Sequence, residues 1–468
     1  MKVRCTTAAV VALGLLLAPV ASAASWKQVT ASNGSSVDQV GLLRTGDGTL
    51  HLTWHRRTGP NTEDLLHTSI SGQGTIGATA PIQVGWAEIQ NAALVPAPGG
   101  IRVFFGGIRT TNAGDPNREL NTSLSGDGGA TWALQQGSVV ASGQQAYGSP
   151  VSATALPDGT PLEAWAGTLG TWVHAGLGPA SPNHDYQAPL GNYGYDSGIA
   201  TNSSGRTVMA WYSSAGGRLG VYAQDVATDG SPVGSAVNMP GTSNMAIGML
   251  GRTPIVARPN GGFYVAYATG YPSLRSVRLW RVGALTSTRL GNAGPSGNAA
   301  ATLAAAADGR LWIAWKADRA GKPHVFARRS NKAANVFGAT VDLGSPKGAA
   351  SGYRLDASAS DGTLDIFGSF SIGSSSDAAT FHRRTFAGLT LRTKPTKLHR
   401  GRATPVKFTV LDAGDPLRGA KIRAGGHSAV TDRQGRATLK LTGHRKPITT
   451  AATARGYAQA TKRIRVVK

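Results

Sequence analysis

Along this chain the apolar positions recur with a period of two rather than 3.6. Leu50-His51-Leu52-Thr53-Trp54 alternates apolar and polar side chains. That is the pattern of a strand, whose successive side chains point to opposite faces. The run belongs to a longer repeat: a turn residue, a Gly, a few alternating residues, then an aromatic. It occurs from Asp47-Gly48 to Trp54, Pro98-Gly99 to Phe105, Asp158-Gly159 to Trp165 and Ser204-Gly205 to Trp211. It occurs again from Asn260-Gly261 to Tyr267, Asp308-Gly309 to Trp315 and Asp361-Gly362 to Phe367. In six of the seven the aromatic stands seven residues after the turn residue, and successive aromatics are 51, 60, 46, 56, 48 and 52 residues apart. Gly admits the positive φ of a tight turn, so each unit predicts a hairpin.

A second strand follows each aromatic, as in Leu66-His67-Thr68-Ser69-Ile70, Leu120-Asn121-Thr122-Ser123-Leu124 and Val325-Phe326-Ala327. Ala80-Pro81-Ile82-Gln83-Val84 adds a further one in the first unit. Four strands in each unit of about 50 residues predict a β-propeller. The last unit is a strand short, and Trp26-Lys27-Gln28-Val29-Thr30 is placed to supply it and close the ring. Closure removes the edge that an open array would expose.

One turn narrows the fold. Ser125-Gly126-Asp127-Gly128-Gly129-Ala130-Thr131-Trp132 reads S-x-D-x-G-x-T-W. Asp127 is placed to accept backbone N–H bonds, the glycines to take positive φ and Trp132 to pack the hairpin. Thr68-Ser69-Ile70-Ser71-Gly72-Gln73-Gly74 is a worn copy. The segment resembles the Asp-box, or BNR repeat, of sialidase-like propellers, over residues 25–388 of this chain. The resemblance implies that Ser125, Asp127, Gly129, Thr131 and Trp132 are structural and lie on the face opposite the binding site. It also implies six blades where the repeat gives seven units, so a six- or seven-bladed propeller is expected.

Composition adds the setting. Gly accounts for 63 of 468 residues and only four are Glu. The chain is thus Gly-rich and all-β in character, without the acidic and basic surface of a helical protein. Lys2 and Arg4 precede an apolar stretch, Ala8 to Val20, and Ala21-Ser22-Ala23 fits a signal-peptidase site. Residues 1–23 are therefore expected to be a signal peptide. The single Cys, Cys5, leaves with it, so thiol chemistry and Cys-ligated zinc are not expected. No later stretch is long and apolar enough for a transmembrane span. Arg outnumbers Lys 33 to 14, which suits a GC-rich bacterial gene. A secreted or cell-surface location is expected.

Sialidases that this chain resembles use three Arg to clamp a carboxylate, with the first in an Arg-Ile-Pro motif. The nearest segment here is Gly41-Leu42-Leu43-Arg44. No catalytic residue is assigned. The loops joining second to third strands, and those joining units, share one face of a propeller. Candidate binding residues there are Trp86, Glu88, Arg109, Asp115, Glu119, Tyr193, Tyr195, Asp196, Tyr212 and Arg275. Aromatics beside carboxylates and Arg suit sugar or peptide binding. No metal-ligand spacing, P-loop or dinucleotide fingerprint occurs, so no metal and no cofactor is expected.

Charge separates the end of the chain. Residues 389–468 hold 19 Lys and Arg against three acids, a balance of +16 within a total of +23. The balance shifts near Gly388, which divides the chain into 24–388, the propeller, and 389–468. The segments Val410 to Ile422 and Thr431 to Leu439 read as strand, turn, strand. They resemble bacterial Ig-like and carboxypeptidase-regulatory-like domains, which implies a small β-sandwich that spaces or tethers. A module this basic attracts polyanions. Arg400, Arg402, Lys462, Arg463 and Arg465 are the candidates for an anionic cell-envelope polymer. Few aromatics accompany them, which argues against specific nucleic-acid reading.

These readings lead to an exported propeller that recognises an extracellular glycan or protein ligand, held at the envelope by its basic tail. The alternative is an exo-sialidase or related glycoside hydrolase with a diverged site.

Overall fold

In the computed structural model the described residues are 25–30, 39–90, 92–110, 119–135, 150–167, 170–178, 181, 183–186, 194–213, 219–242, 251–259, 261–269, 276–292, 300–373 and 377–468. Among them the chain is all-β. Residues 1–23, expected to be a signal peptide, lie outside the described residues, and among those described no helix is long and apolar enough to cross a membrane.

Antiparallel sheets follow one another along the chain. The first is Gly41–Arg44, Leu50–Gly59, Thr62–Ile70 and Ala80–Trp86. In the second, Glu88–Ile89 and Ala93–Ala97 both pair with Gly100–Ile108, followed by Glu119–Ser125 and Ala133–Leu134. The third is Ser152–Ala155, Pro161–Gly167, Gly170–Ala175 and Asn183–Tyr186; the fourth is Gly194–Thr201, Thr207–Ser213, Gly220–Val226 and Pro232–Asn238. The fifth is Ile255–Ala257, Phe263–Thr269, Ser276–Arg281 and Ser287–Gly291; the sixth is Ala301–Ala305, Leu311–Arg319, Lys322–Arg329 and Val341–Gly344. The seventh is Ala349–Ser360, Thr363–Ile372 and Ala378–Lys394, with Lys27–Gln28 added outside. Each Gly turn sits between the first and second strands of its sheet, and the aromatics Trp54, Phe105, Trp165, Trp211, Tyr267, Trp315 and Phe367 are all buried.

The first strand of each sheet touches the first strand of the next, from Gly41–Arg44 round to Ala349–Ser360. Ala349–Ser360 touches Gly41–Arg44 again. The ring is closed, and the arrangement is a β-propeller. Its core is divided between neighbouring sheets. Leu279 packs with Ile313 and Trp315 between the fifth and sixth, and Trp312 and Val325 pack with Ile366 and Phe370 between the sixth and seventh. Phe367 joins Leu50, Leu52 and Trp54 across the last gap. The N-terminal strand completes the seventh sheet on its outer edge: Lys27 pairs His382 and Gln28 pairs Phe381. Trp26 anchors it, donating from Nε1 to the Leu343 carbonyl at 3.0 Å and meeting Phe370 edge-on at 5.3 Å.

Ala378–Lys394 runs without a break through Gly388. Its first half pairs Thr363–Ile372 and its second half pairs Ala403–Asp412. Ala403–Asp412 also pairs Arg436–Thr442. Opposite lies a five-stranded sheet in the order Lys397–His399, Ala460–Val467, Ile448–Thr453, Lys421–Ala424, His427–Val430. Leu391, Val406, Phe408, Ile422, Leu439 and Ile464 pack a separate apolar core here. Arg329 and Arg310 fasten this end of the chain to the sixth sheet. Arg329 donates to buried Asp412. Arg310 comes within 3.3 Å of Asp412 and donates to Asp415 at 2.7 Å. Tyr457 adds a hydrogen bond to Asp412 at 2.9 Å.

Candidate functional site

First strands of the sheets converge on the ring axis around a cavity of about 170 Å³. The linkers between sheets enter at this end. Close approach of the strands requires a missing side chain: a Cβ on Gly198 would stand 2.0 Å from the Thr253 carbonyl oxygen. Polar groups from several sheets line the space, among them Gln39, Ser152, Arg252, Thr253, Thr302 and Asp356.

Arg252 spans the axis. Its Nε donates to the Val151 carbonyl at 2.8 Å, Nη1 to Val40 at 3.0 Å and Nη2 to Ala92 at 2.6 Å. One guanidinium therefore ties the first strands of three sheets to its own. The planar fork of Arg suits several fixed acceptors at once. Asp356 lies 4.0 Å from it. The Asp356 carboxylate accepts from Val40 N at 3.0 Å and from Gln39 Nε2 at 3.3 Å. Burial pushes its pKa up to about 6, against the pull of Arg252. Asp356 is thus poised to hold or release a proton in mildly acid solution. Among the described lining residues it is the one carboxylate and Arg252 the one cation.

The candidates read from the sequence fall into two groups near this face. Glu88 pairs Ile108 and Glu119 pairs Gly107, so both flank the end of the second sheet's Gly100–Ile108 strand. Trp86 is buried beside them, edge-on to Phe105 at 5.2 Å, with the Arg109 guanidinium 5.5 Å above its ring. Glu88 accepts from Gln90 Nε2 at 3.3 Å. The second group is on the fourth sheet: Tyr195 is 36% exposed and its ring lies 6.5 Å from that of buried Tyr212. Asp196 has a φ of 54°, and its carbonyl accepts from Thr253 N at 2.7 Å, which joins this group to the cavity rim. Asp115, Tyr193 and Arg275 lie outside the described residues.

Gln39, Arg252 and Asp356 were not singled out by sequence reasoning. A single Arg in Gly251-Arg252-Thr253-Pro254, or a single Asp in a polar strand, carries no motif. Their roles come from ring closure, which brings together residues more than 300 positions apart.

The turn face is built differently. Asp127 Oδ1 accepts from Ser125 Oγ at 2.8 Å and Thr131 N at 2.9 Å, and Oδ2 accepts from Thr131 Oγ1 at 2.6 Å. These bonds, the Thr131 hydroxyl first, lower its pKa to about 2. Gly129 N donates to Ser125 Oγ at 2.7 Å, and Trp132 Nε1 donates to the Gly129 carbonyl at 3.1 Å. All five of these side chains or backbone groups serve the turn itself. Elsewhere, Glu163 and His174 form a buried pair at 2.9 Å inside the third sheet. Among the described residues no group of three or more His, Cys, Asp or Glu is arranged to hold a metal ion. Of the basic candidates, Arg400, Arg402, Arg463 and Arg465 are exposed. Lys462 is partly buried and pairs inward-facing Thr450.

No family model matches this chain, and no curated protein matches it. Among solved structures it is similar to a polysaccharide lyase described as an ulvan lyase bound to a GlcA(1-4)Rha3S chain. The TM-score is 0.50 at 10% identity, covering 76% of this chain and 95% of that one. The polysaccharide lyase Uly1 gives 0.47 at 13% identity, covering 76% and 91%. A protein of unknown function from Dyadobacter fermentans gives 0.43 at 14%, covering 63% and 94%. At 10% identity the first of these is a likeness of fold.

Proposed function

We propose that this chain is an exported, sialidase-like propeller of seven blades that recognises an extracellular glycan over its axial cavity. On this reading each sheet of the ring is one blade, and Ser125 to Trp132 is an Asp-box. Residues 389–468 are an Ig-like sandwich that tethers the ring to an anionic envelope polymer. The observation that carries the reading is the convergence of Arg252, Asp356 and Gln39 in a polar cavity on the linker face. At about 170 Å³ the cavity is smaller than the ~300 Å³ at which ligand sites begin. It admits a small polar substituent of a sugar, while the rest of the ligand lies across the mouth beside Tyr195 and Glu88. Arg252 then reads an acidic or hydroxyl group, and Asp356 accepts from hydroxyls when ionised. The ulvan lyase of similar fold is a glycan-acting protein, which accords with a glycan ligand.

Recognition is preferred to hydrolysis. A glycosidase generally sets two carboxyl groups about 5–9.5 Å apart, and Asp356 has no carboxylate partner among the described lining residues.

The test is calorimetry and a glycan panel on residues 24–468, with neutral and uronate-containing oligosaccharides, beside fluorogenic glycosides that include a sialoside. Binding weakened by Asp356→Asn, in a protein that melts no lower than the parent does, supports the reading. Turnover of any glycoside replaces it with the hydrolase.

A further inference from the structure

The five-stranded sheet of the C-terminal unit turns one face to its core and one outward. Ile422, Ala424, Thr450, Ala452 and Ile464 point inward and are buried. By strand alternation, Lys421 and Arg423 point outward on one strand, and Arg463 and Arg465 on another. Between these two strands runs Ile448–Thr453, whose outward residues are Thr449, Ala451 and Thr453. The result is a floor of small side chains flanked by two short basic walls that are staggered along it: Lys421 and Arg423 stand level with Thr453 and Ala451, Arg463 stands level with Thr449, and Arg465 lies one pair beyond. The walls are two strand spacings apart, roughly 10 Å. Lys421, Arg423, His427, Ser428, Thr449 and Ala451 line an open groove of about 460 Å³ on this face, and Arg463 and Arg465 stand outside that lining.

No acid shares the face. Asp412 and Asp415 are held at the junction with Arg310 and Arg329. Asp432 caps a turn, accepting from Gln434 N at 2.9 Å and Arg436 N at 2.8 Å. No ion pair among the described residues uses Lys421, Arg423, Arg463 or Arg465. No aromatic stands at these outward positions, so the face offers no platform for stacking bases or sugar rings. It reads charge alone. Along each wall the cations recur at alternate residues, about 6.6 Å apart.

We infer that this face binds a linear polyol-phosphate chain, laid obliquely over Thr453, Ala451 and Thr449 so that its phosphodiesters pass from Lys421 and Arg423 to Arg463 and Arg465. One phosphodiester per three-carbon unit spaces charge roughly as alternate strand residues do, and an unbranched chain is thin enough for the small-residue floor. The inference rests on the tether reading and gives it a site and a partner. It shifts the weight from Arg400, Arg402 and Lys462 to Lys421, Arg423, Arg463 and Arg465.

The opposite sheet of the same unit supplies an internal control. Arg392, Lys394, Lys407 and Arg436 are exposed there. Residues 24–468 are titrated into fluorescently labelled poly(glycerol phosphate) between about 50 and 200 mM salt. The variant K421S/R423S/R463S/R465S is expected to lose roughly tenfold or more in affinity and to flatten the salt dependence. The variant R392S/K394S/K407S/R436S, with the same change in charge, is expected to lose far less. Melting curves matching the parent show that both fold. Equal losses from the two variants overturn the groove and leave a diffuse attraction that still tethers. Equal or tighter binding of heparin or single-stranded DNA at matched charge overturns the polyol-phosphate assignment. No binding of any polyanion by the parent overturns the tether reading itself.

Discussion

Arg44, on the first strand of the first sheet, places Nη2 2.6 Å from Oδ2 of Asp365, on the second strand of the last. The two residues are 321 positions apart in sequence and sit at the seam where the ring closes. Asp365 is fully buried and also accepts from His382 Nε2 at 2.8 Å and Arg384 Nε at 2.7 Å. Arg384 in turn donates to the Gly72 carbonyl of the first sheet at 2.6 Å. Removing one member of such a cluster strands the others without charge compensation. Asp365→Ala should cost about 3–5 kcal/mol in urea unfolding. Burial opposes ionisation of Asp365, but the bonds from His382 and Arg384 win and hold it below the usual carboxylate range. That stability is present above about pH 4 and is lost as pH falls further. The Asp365→Asn protein should lack this acid-side loss.

Asp356 gives the opposite slope. Its pKa is raised from 3.8 to about 6 in the folded chain. Between those values the unfolded chain has released the proton and the folded chain still holds it, so stability falls as pH rises. The loss is about 3 kcal/mol by pH 7. Glu163, raised to about 7 by burial against the help of His174, acts in the same direction over a higher window. Melting temperatures of the parent should therefore decline from about pH 4.5 to 7.5. Asp356→Asn should be more stable than the parent at neutral pH and should flatten the lower part of that decline.

Arg252→Lys tests the axial hub. A lysine has one ammonium for carbonyls that the guanidinium reaches from three nitrogens. Unmade bonds to buried carbonyls cost about 1–3 kcal/mol each. The variant should lose several kcal/mol in all, and Arg252→Ala more, both read by chemical denaturation.

Two adjacent glycines should separate strain from space. Gly128 has a φ of 72° and nothing near its missing Cβ; Gly129 has a φ of 93° and His67 Cε1 2.1 Å from where a Cβ would be. Gly128→Ala should cost about 1 kcal/mol for its backbone alone. Gly129→Ala must also displace His67, which stacks on His51 and meets Trp132 edge-on. Its cost should exceed 2 kcal/mol, roughly, by the same denaturation measurement.

Asp412 should decide whether the two ends of the chain melt together. It is 1% exposed and faces Arg310, Arg329 and Tyr457. Asp412→Ala leaves two buried guanidinium groups short of a counter-charge, a loss of about 3–5 kcal/mol. Calorimetry should show one transition in the parent and a split one in the variant.

The repeat was legible because it rests on local chemistry. A Gly turn must precede a strand, and an aromatic seven residues on must be buried, as Trp165 and Trp211 are. The closing strand was legible from what the last unit lacked. The axial site was not, because Arg252 and Asp356 acquire meaning only when sheets far apart in sequence meet. Trp86 shows a further limit: an aromatic beside Glu88 and Arg109 reads as a binding surface, yet its ring lies in the core under the Arg109 guanidinium. Composition placed a change of charge near Gly388. It said nothing of the backbone, which crosses that point inside a single strand.

That strand, Ala378–Lys394, has a mechanical consequence. If the tail is held and the ring is dragged by flow or by its ligand, the load enters along the strand axis. The hydrogen bonds to Thr363–Ile372 and Ala403–Asp412 then resist together in shear instead of opening one at a time. The same strand carries Lys27–Gln28, so the tension arrives at the place where the ring is fastened shut.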